Sequence, residues 1–238
     1  MNLAIDIGNT KTKIGFFEKH QLESSKSFES LSELNQFLDP NEIDFAIIAS
    51  VNLQYEEISS QLSKLNNPVL LNNDTPLPFI NQYKSKTIGL DRLAAVAGAQ
   101  VLYPNKNVLV IDLGTCITYE FLENGTTYHG GAISPGMKMR FKAMHNFTAR
   151  LPLINPRIVK DWISDSTEGA MLSGVVNGIQ AEIDAYIQEV ERKYAPLTVI
   201  ITGGDAKFFE SKIKATIFAI PELVLVGLNA ILRYNVPI

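Results

Sequence analysis

One pattern occurs twice in this chain and limits its fold more than any other feature. Leu3-Ala4-Ile5-Asp6-Ile7-Gly8-Asn9-Thr10 can be laid over Leu109-Val110-Ile111-Asp112-Leu113-Gly114-Thr115-Cys116. Three apolar residues, Asp, an apolar residue, Gly and a small polar residue recur in register. Each copy then continues as a second extended run, Thr12 to Phe17 and Ile117 to Leu122, rich in β-branched and aromatic residues. Strand, tight glycine turn, strand is the expected structure of both. Asn124-Gly125 adds a type I′ hairpin signal, so Thr126 to Ile133 is expected to pair with the run before it.

Helical signals fill the intervals. Ser30-Leu31-Ser32-Glu33 has capping-box spacing before a short helix ending near Asp39-Pro40, and Tyr55 to Leu65 reads as another. Phe45 to Val51 is apolar without alternation, as in a strand covered on both faces. Asp91 is expected to cap a small-residue helix, Arg92 to Leu102. Further helices are expected over Met137 to Asn146, Glu168 to Arg192, from near Asp205, and from Pro221, with a buried strand at Leu197 to Thr202. Strands alternating with helices, with a hairpin in each repeat, predict two α/β lobes around mixed sheets, residues 1–104 and 105–238.

The 238 residues suffice for a large core, and charged residues make up only 19%, below the roughly 25% usual for soluble domains, which suggests extra buried surface such as a subunit interface. The net charge of −4 offers no broad cationic field for nucleic acid or an anionic membrane, so an anionic ligand must be held by local chemistry. Cys116 is the single cysteine, which suits a reducing compartment. The N-terminus lacks the pattern of a secretory signal, and the most apolar run, Thr216 to Leu232, is short and interrupted by Pro221, Glu222 and Asn229. A cytoplasmic location is expected.

Asp at the end of a buried strand, followed by Gly and a hydroxyl or amide residue, sets a carboxylate beside free backbone amides. Such a nest can hold a phosphate and a cation without net positive charge, with Thr10, Thr12 and Lys13 adding donors. Asp-x-Gly is also an ordinary turn; two copies in register say more than one. Between them, Ile88-Gly89-Leu90-Asp91-Arg92 puts an acid and a base at a helix start, which reads either as a site or as a cap with a solvated Arg. Gly130-Gly131-Ala132-Ile133-Ser134-Pro135-Gly136 is either a ligand cover or a plain connection. Ile201-Thr202-Gly203-Gly204-Asp205 either admits an adenine ring or turns the chain.

Taken together, these motifs resemble the type III pantothenate kinases of the acetate kinase, sugar kinase, Hsp70 and actin superfamily, over nearly the whole chain. Asp6 to Thr10 resembles the family's first phosphate motif, Gly89-Leu90-Asp91-Arg92 its Gly-x-Asp-Arg motif and Asp112 to Thr118 its second phosphate motif. The glycine loop at 130–136, Thr148-Ala149-Arg150-Leu151-Pro152, and Thr167 with Met171-Leu172-Ser173-Gly174 match later segments. The resemblance implies two ribonuclease H-like lobes with five-stranded mixed sheets, an actin-like ATPase fold. It implies transfer of the γ-phosphoryl group of ATP to pantothenate, giving 4'-phosphopantothenate, the first step towards coenzyme A. By the same matching Asp91 is the proton acceptor, and Asp6, Ile7, Gly8, Asn9, Thr10, Lys11, Thr12, Lys13 and Thr115 contact ATP. Asp112 binds potassium or ammonium, Mg²⁺ accompanies the nucleotide, and Tyr83, Gly89, Leu90, Asp91, Arg92 and Thr167 meet pantothenate. The resemblance also implies a homodimer that completes the site. Another small-molecule kinase of the superfamily, or a non-catalytic regulator on the same fold, is the alternative.

Overall fold

The computed structural model of the chain describes residues 1–8, 11–50, 55–85 and 87–236. Those residues form two compact units, the first of residues 1–105, 124–129 and 222–238 and the second of 106–123 and 130–221. A single cut between 104 and 105 therefore does not separate the units, because the hairpin turn after residue 123 and the C-terminal stretch cluster with the first.

In the first unit, β1 (Asn2–Ile7) is buried along its length and pairs antiparallel with β2 (Thr12–Glu18), which pairs antiparallel with β3 (Gln21–Phe28). After α1 (Leu31–Phe37), β4 (Phe45–Ser50) lies parallel to the other side of β1. Beyond α2 (Tyr55–Gln61), β5 (Val69–Leu70) closes the order β3-β2-β1-β4-β5. β3 carries almost no buried side chain, so its polar sequence, QLESSKSF, gave no strand signal; it is a solvated edge. The capping box acts as expected, with Ser30 Oγ accepting from Glu33 N at 3.2 Å. α2 stops short of Leu65 as Lys64 turns away and donates to Leu38 O at 2.7 Å, at the C-terminus of α1. Two residues of β6 (Ile80–Asn81) pair with Thr127 and Tyr128, and α3 (Leu90–Leu102) follows.

The second unit repeats the plan. β7 (Asn107–Leu113) pairs antiparallel with β8 (Cys116–Glu123), and the Asn124-Gly125 turn, at φ values of 50° and 64°, leads into β9 (Thr127–Pro135). α4 (Met137–Phe147) follows, and then α5 (Thr167–Leu172) runs through a π-helical turn, Ser173–Asn177, into α6 (Gly178–Tyr194). β10 (Leu197–Thr202) lies parallel to β7, and beyond α7 (Ala206–Phe209) β11 (Phe218–Ala219) ends the order β6-β9-β8-β7-β10-β11, six strands where five were expected, the added one being the two-residue β6; without it the order is β9-β8-β7-β10-β11. Strand for strand this is the order of the first sheet, so the repeated pattern puts Asp6 and Asp112 at equivalent places.

The last helix, α8 (Leu223–Asn235), returns to the first unit and packs on α3 and β1. Asn229, the polar interruption in its apolar run, is buried because it is used: it accepts from Asn2 Nδ2 at 3.0 Å and donates to Lys19 O at 2.9 Å. Among the described residues no helix is long and apolar enough to cross a membrane.

α3 and α8 approach so closely that a Cβ at Gly227 would fall on Ala94 O, and one at Gly98 on Leu223 O. In an open helix Gly→Ala gains about 1 kcal/mol. Here Gly227→Ala is expected to lose stability instead, on the order of 1–3 kcal/mol for overpacking, read as a lower urea midpoint at unchanged slope. A raised midpoint would contradict the close crossing.

Candidate active site

The strongest electrostatic feature of the first unit sits where β1 ends. Asp6 pairs in register with Lys13 across the antiparallel ladder, so both side chains share one face. Gly8 N donates to Lys11 O at 3.2 Å and closes the turn between the strands. Asn9 and Thr10, both expected to contact ATP, lie outside the described residues. Thr12 is buried, and Ile7 points into the core, leaving only its backbone to meet a ligand. Lys11 reaches an exposed ion pair with Glu29 at 2.8 Å.

Desolvation first, and then the charge of Asp91, push the Asp6 carboxyl up to about 6 against the opposing charge of Lys13. This brings Asp91 within electrostatic reach of Asp6. Helix α3 begins two residues earlier than expected: Gly89 is the N-cap, and Asp91 lies inside the first turn, where its Oδ1 accepts from Arg92 N at 2.9 Å. A carboxylate there still gains from the free amides and the helix dipole. Asp91 Oδ2 makes no hydrogen bond among the described residues.

Arg92 is not solvated. It is 6% exposed, with its guanidinium 5.1 Å from the centre of the Tyr83 ring, Nη1 donating to Tyr83 OH at 3.5 Å and Nη2 to Tyr128 OH at 3.4 Å. The two tyrosine rings stack at 6.2 Å and 16°. A ring face and two hydroxyl acceptors offset part of the cost of desolvating a cation. Tyr83, matched by resemblance alone, thus lies beside the Gly-x-Asp-Arg motif, with Leu90 and Gly89 half-buried next to it. Tyr128 was missed. Its signal was its place just after the Asn-Gly turn, pairing in register with Asn81, whose Oδ1 accepts from Tyr83 N at 2.9 Å.

In the second unit Asp112 is the last residue but one of β7, and Gly114 N donates to Cys116 O at 3.0 Å, in the manner of Gly8. Gly203, at φ +92°, packs so closely that its missing Cβ would fall on Asp112 Oδ1. Thr202 and Asp112 are register partners, and Asp205 N donates to Leu113 O at 2.9 Å, so the glycine turn after β10 lies against the motif. Burial raises the Asp205 carboxyl while Lys138 lowers it. Thr115 is exposed, its carbonyl accepting from Gly136 N at 3.1 Å. Thr167 is exposed at the start of α5, after the Ser166 cap. Open α/β sheets bind ligands at the carboxyl ends of their strands, which is where both Asp-x-Gly turns lie.

Among the described residues no three His, Cys, Asp or Glu side chains group to hold a metal. A chelated transition metal does not fit. A monovalent cation is compatible with the Asp112 carboxylate beside backbone, and Mg²⁺ carried in by a nucleotide needs only one or two carboxylates, a requirement that Asp6 and Asp91 could meet.

The folded chain binds a proton at Asp6 more tightly than the unfolded chain does. That contribution is fully present below the ordinary carboxylate value of 3.8 and is lost as pH rises through about 6. Asp6→Asn is therefore expected to raise the melting temperature at pH 8 relative to wild type, and to change it far less at pH 4. An equal shift at both pH values would show that burial does not strain this carboxylate.

A family model described as type III pantothenate kinase matches residues 2–189. A Bacteroides fragilis protein named type III pantothenate kinase is 46% identical over 239 residues, covering 99% of this chain and 98% of its own. Among solved structures, a Campylobacter jejuni protein ascribed to a Baf family of transcriptional activators superposes with TM-score 0.67 at 22% identity over 98% of both chains. A Listeria monocytogenes protein described as an N-acetylmannosamine kinase does so with TM-score 0.51 at 17% identity, covering 98% of this chain and 99% of its own. The two structural likenesses show the fold alone, an actin-like ATPase architecture, whereas the sequence matches reach further: by them, the chain belongs to the type III pantothenate kinase family.

Proposed function

We propose that this enzyme transfers the γ-phosphoryl group of ATP to the primary hydroxyl of pantothenate, giving 4'-phosphopantothenate and opening the route to coenzyme A. The observation that carries the reading is the position of Asp91. One oxygen is fixed by the amide of Arg92 and the other has no hydrogen-bond partner among the described residues, in electrostatic reach of Asp6 and Lys13.

Asp91 orients the hydroxyl and takes its proton. In a loose phosphoryl transfer the hydroxyl becomes acidic only late, when bonding to phosphorus is advanced, and its proton passes to Asp91 at that stage. Asp6, Lys13 and the turn at Gly8 form the phosphate motif of the first unit and the Gly114–Thr115 turn that of the second, each offering backbone amides to ATP in place of a basic surface. When bound, Mg²⁺ supplies charge neutralisation on the phosphates, and potassium or ammonium at Asp112 supplies a further positive centre. Arg92, held between Tyr83 and Tyr128, orders the acceptor end of the site together with Gly89 and Leu90, and Thr167 adds a hydroxyl contact.

A homodimer belongs to this reading. Large apolar side chains of one stretch of the second unit are exposed, among them Ile133, Phe147, Leu153, Ile158, Trp162 and Ile163, the last at 90%. Surface of this kind calls for a partner. ATP as cosubstrate and the free Cys116 support a cytoplasmic reaction.

Purified protein is expected to release ADP only when pantothenate, Mg²⁺ and potassium or ammonium are all present, in a coupled spectrophotometric assay. Asp91→Asn is expected to lose about 10²–10⁴-fold in kcat, the usual worth of general acid–base catalysis, with ATP affinity little changed. Full turnover in that variant would remove Asp91 as proton acceptor, and turnover with another alcohol but not pantothenate would reassign the substrate.

A further inference from the structure

The glycine loop that closes β9 is poorly anchored by apolar burial. Ile133 is 60% exposed, and residues 131–135 alternate between exposed and half-buried. A polar clamp holds it instead. Arg140, one turn into α4, donates from Nε to Pro135 O at 2.8 Å and from Nη2 to Ser134 Oγ at 2.9 Å and Glu182 Oε2 at 2.6 Å. Glu182, on α6, accepts through its other oxygen from Tyr119 OH at 2.8 Å. Tyr119 is 1% exposed on β8 and stacks at 4.0 Å on Tyr186, one turn beyond Glu182. Burial, and then Glu182, hold the Tyr119 phenol well above its ordinary range, so it stays a donor.

The pair differs in kind from the surface pairs of this unit. Arg140 and Glu182 are 22% and 24% exposed, whereas Arg192 and Glu189 are 75% and 70% exposed. Exposed pairs contribute little; a largely desolvated, forked guanidinium fixes geometry. What it fixes is tightly linked to the second phosphate turn. Gly136 N donates to Thr115 O, and a Cβ at Gly136 would fall on both Gly114 O and Thr115 O. One at Gly131 would fall on Tyr119 O. With backbone packed on backbone there is no slack, and a displacement of Pro135 passes directly to Thr115.

We propose that Arg140 and Glu182 are positioning residues for the Gly114–Thr115 turn, holding its amides at the geometry that binds ATP phosphate through the glycine loop rather than by touching the nucleotide. This deepens the function proposed above and rests on it.

The test is steady-state kinetics with ATP and pantothenate varied separately, with melting temperature in parallel. Glu182→Gln keeps the acceptor for Tyr119 and removes the charge facing Arg140; Arg140→Lys keeps the charge and loses the fork. Since a misplacement of about 1 Å costs on the order of 10²-fold, each is expected to raise the KM for ATP roughly tenfold, with the KM for pantothenate changed less than about twofold. The double variant Arg140→Lys/Glu182→Gln is expected to be no worse than the poorer single one, as for residues acting as a unit. Arg192→Gln, at the exposed pair, is expected to match wild type. An unchanged KM for ATP in folded Glu182→Gln and Arg140→Lys would overturn the proposal, as would both KM values rising together with the loss of melting temperature. Titration with a non-hydrolysable ATP analogue in the absence of pantothenate reads the same weakening, so a wrong acceptor substrate and a wrong clamp give different results.

Discussion

Everything in the two candidate turns depends on how a central strand is flanked. β1 and β7 each have an antiparallel neighbour on one side and a parallel one on the other. The antiparallel partner returns the chain at once through a glycine turn; the parallel partner arrives from a helix and brings its own carboxyl end to the same edge. An aspartate in the last turns of such a strand cannot retreat into bulk solvent, and it cannot be buried without cost. Asp6 is the clearer case, its proton held by desolvation until a cation or another donor takes over the compensation. A carboxylate in that state suits a ligand that arrives with its own positive charge.

Legibility in the sequence followed the range of the interactions. Features set by residues near one another were readable: the two strand-turn-strand repeats, the Ser30 cap, the Asn124-Gly125 hairpin and the span of β10 all stand where spacing put them. The start of α3 was off by two because Gly89, with no side-chain cap, took the capping position in place of Asp91. β3 escaped because an edge strand wet on both faces has no apolar period to show.

What remained invisible was set by distant residues. Arg92 reads as a surface cation until Tyr83 and Tyr128 are brought over it, and Tyr128 is 36 residues away. Arg140 and Glu182 are separated by 42 residues and sit in helices whose local patterns say only that both positions are polar. The burial of a charged side chain is a property of the assembled unit, and no window of sequence carries it. The resemblance to a family named the chemistry in advance, but it did not reveal what keeps the reacting groups in place.

The return of α8 to the first unit has a consequence for how the molecule is made. During synthesis, β1, β4 and α3 leave the ribosome long before the helix that covers them, since α8 is the last element of the chain. Until then the small-residue face of α3, with Gly98 and Ala94, and the buried amide of Asn2 have no partner. The second unit, wholly internal in sequence, can close while the first is still waiting. The order of completion is therefore the reverse of the order of translation, and a released chain truncated before residue 223 would have every element of the second unit but an uncovered, aggregation-prone first one.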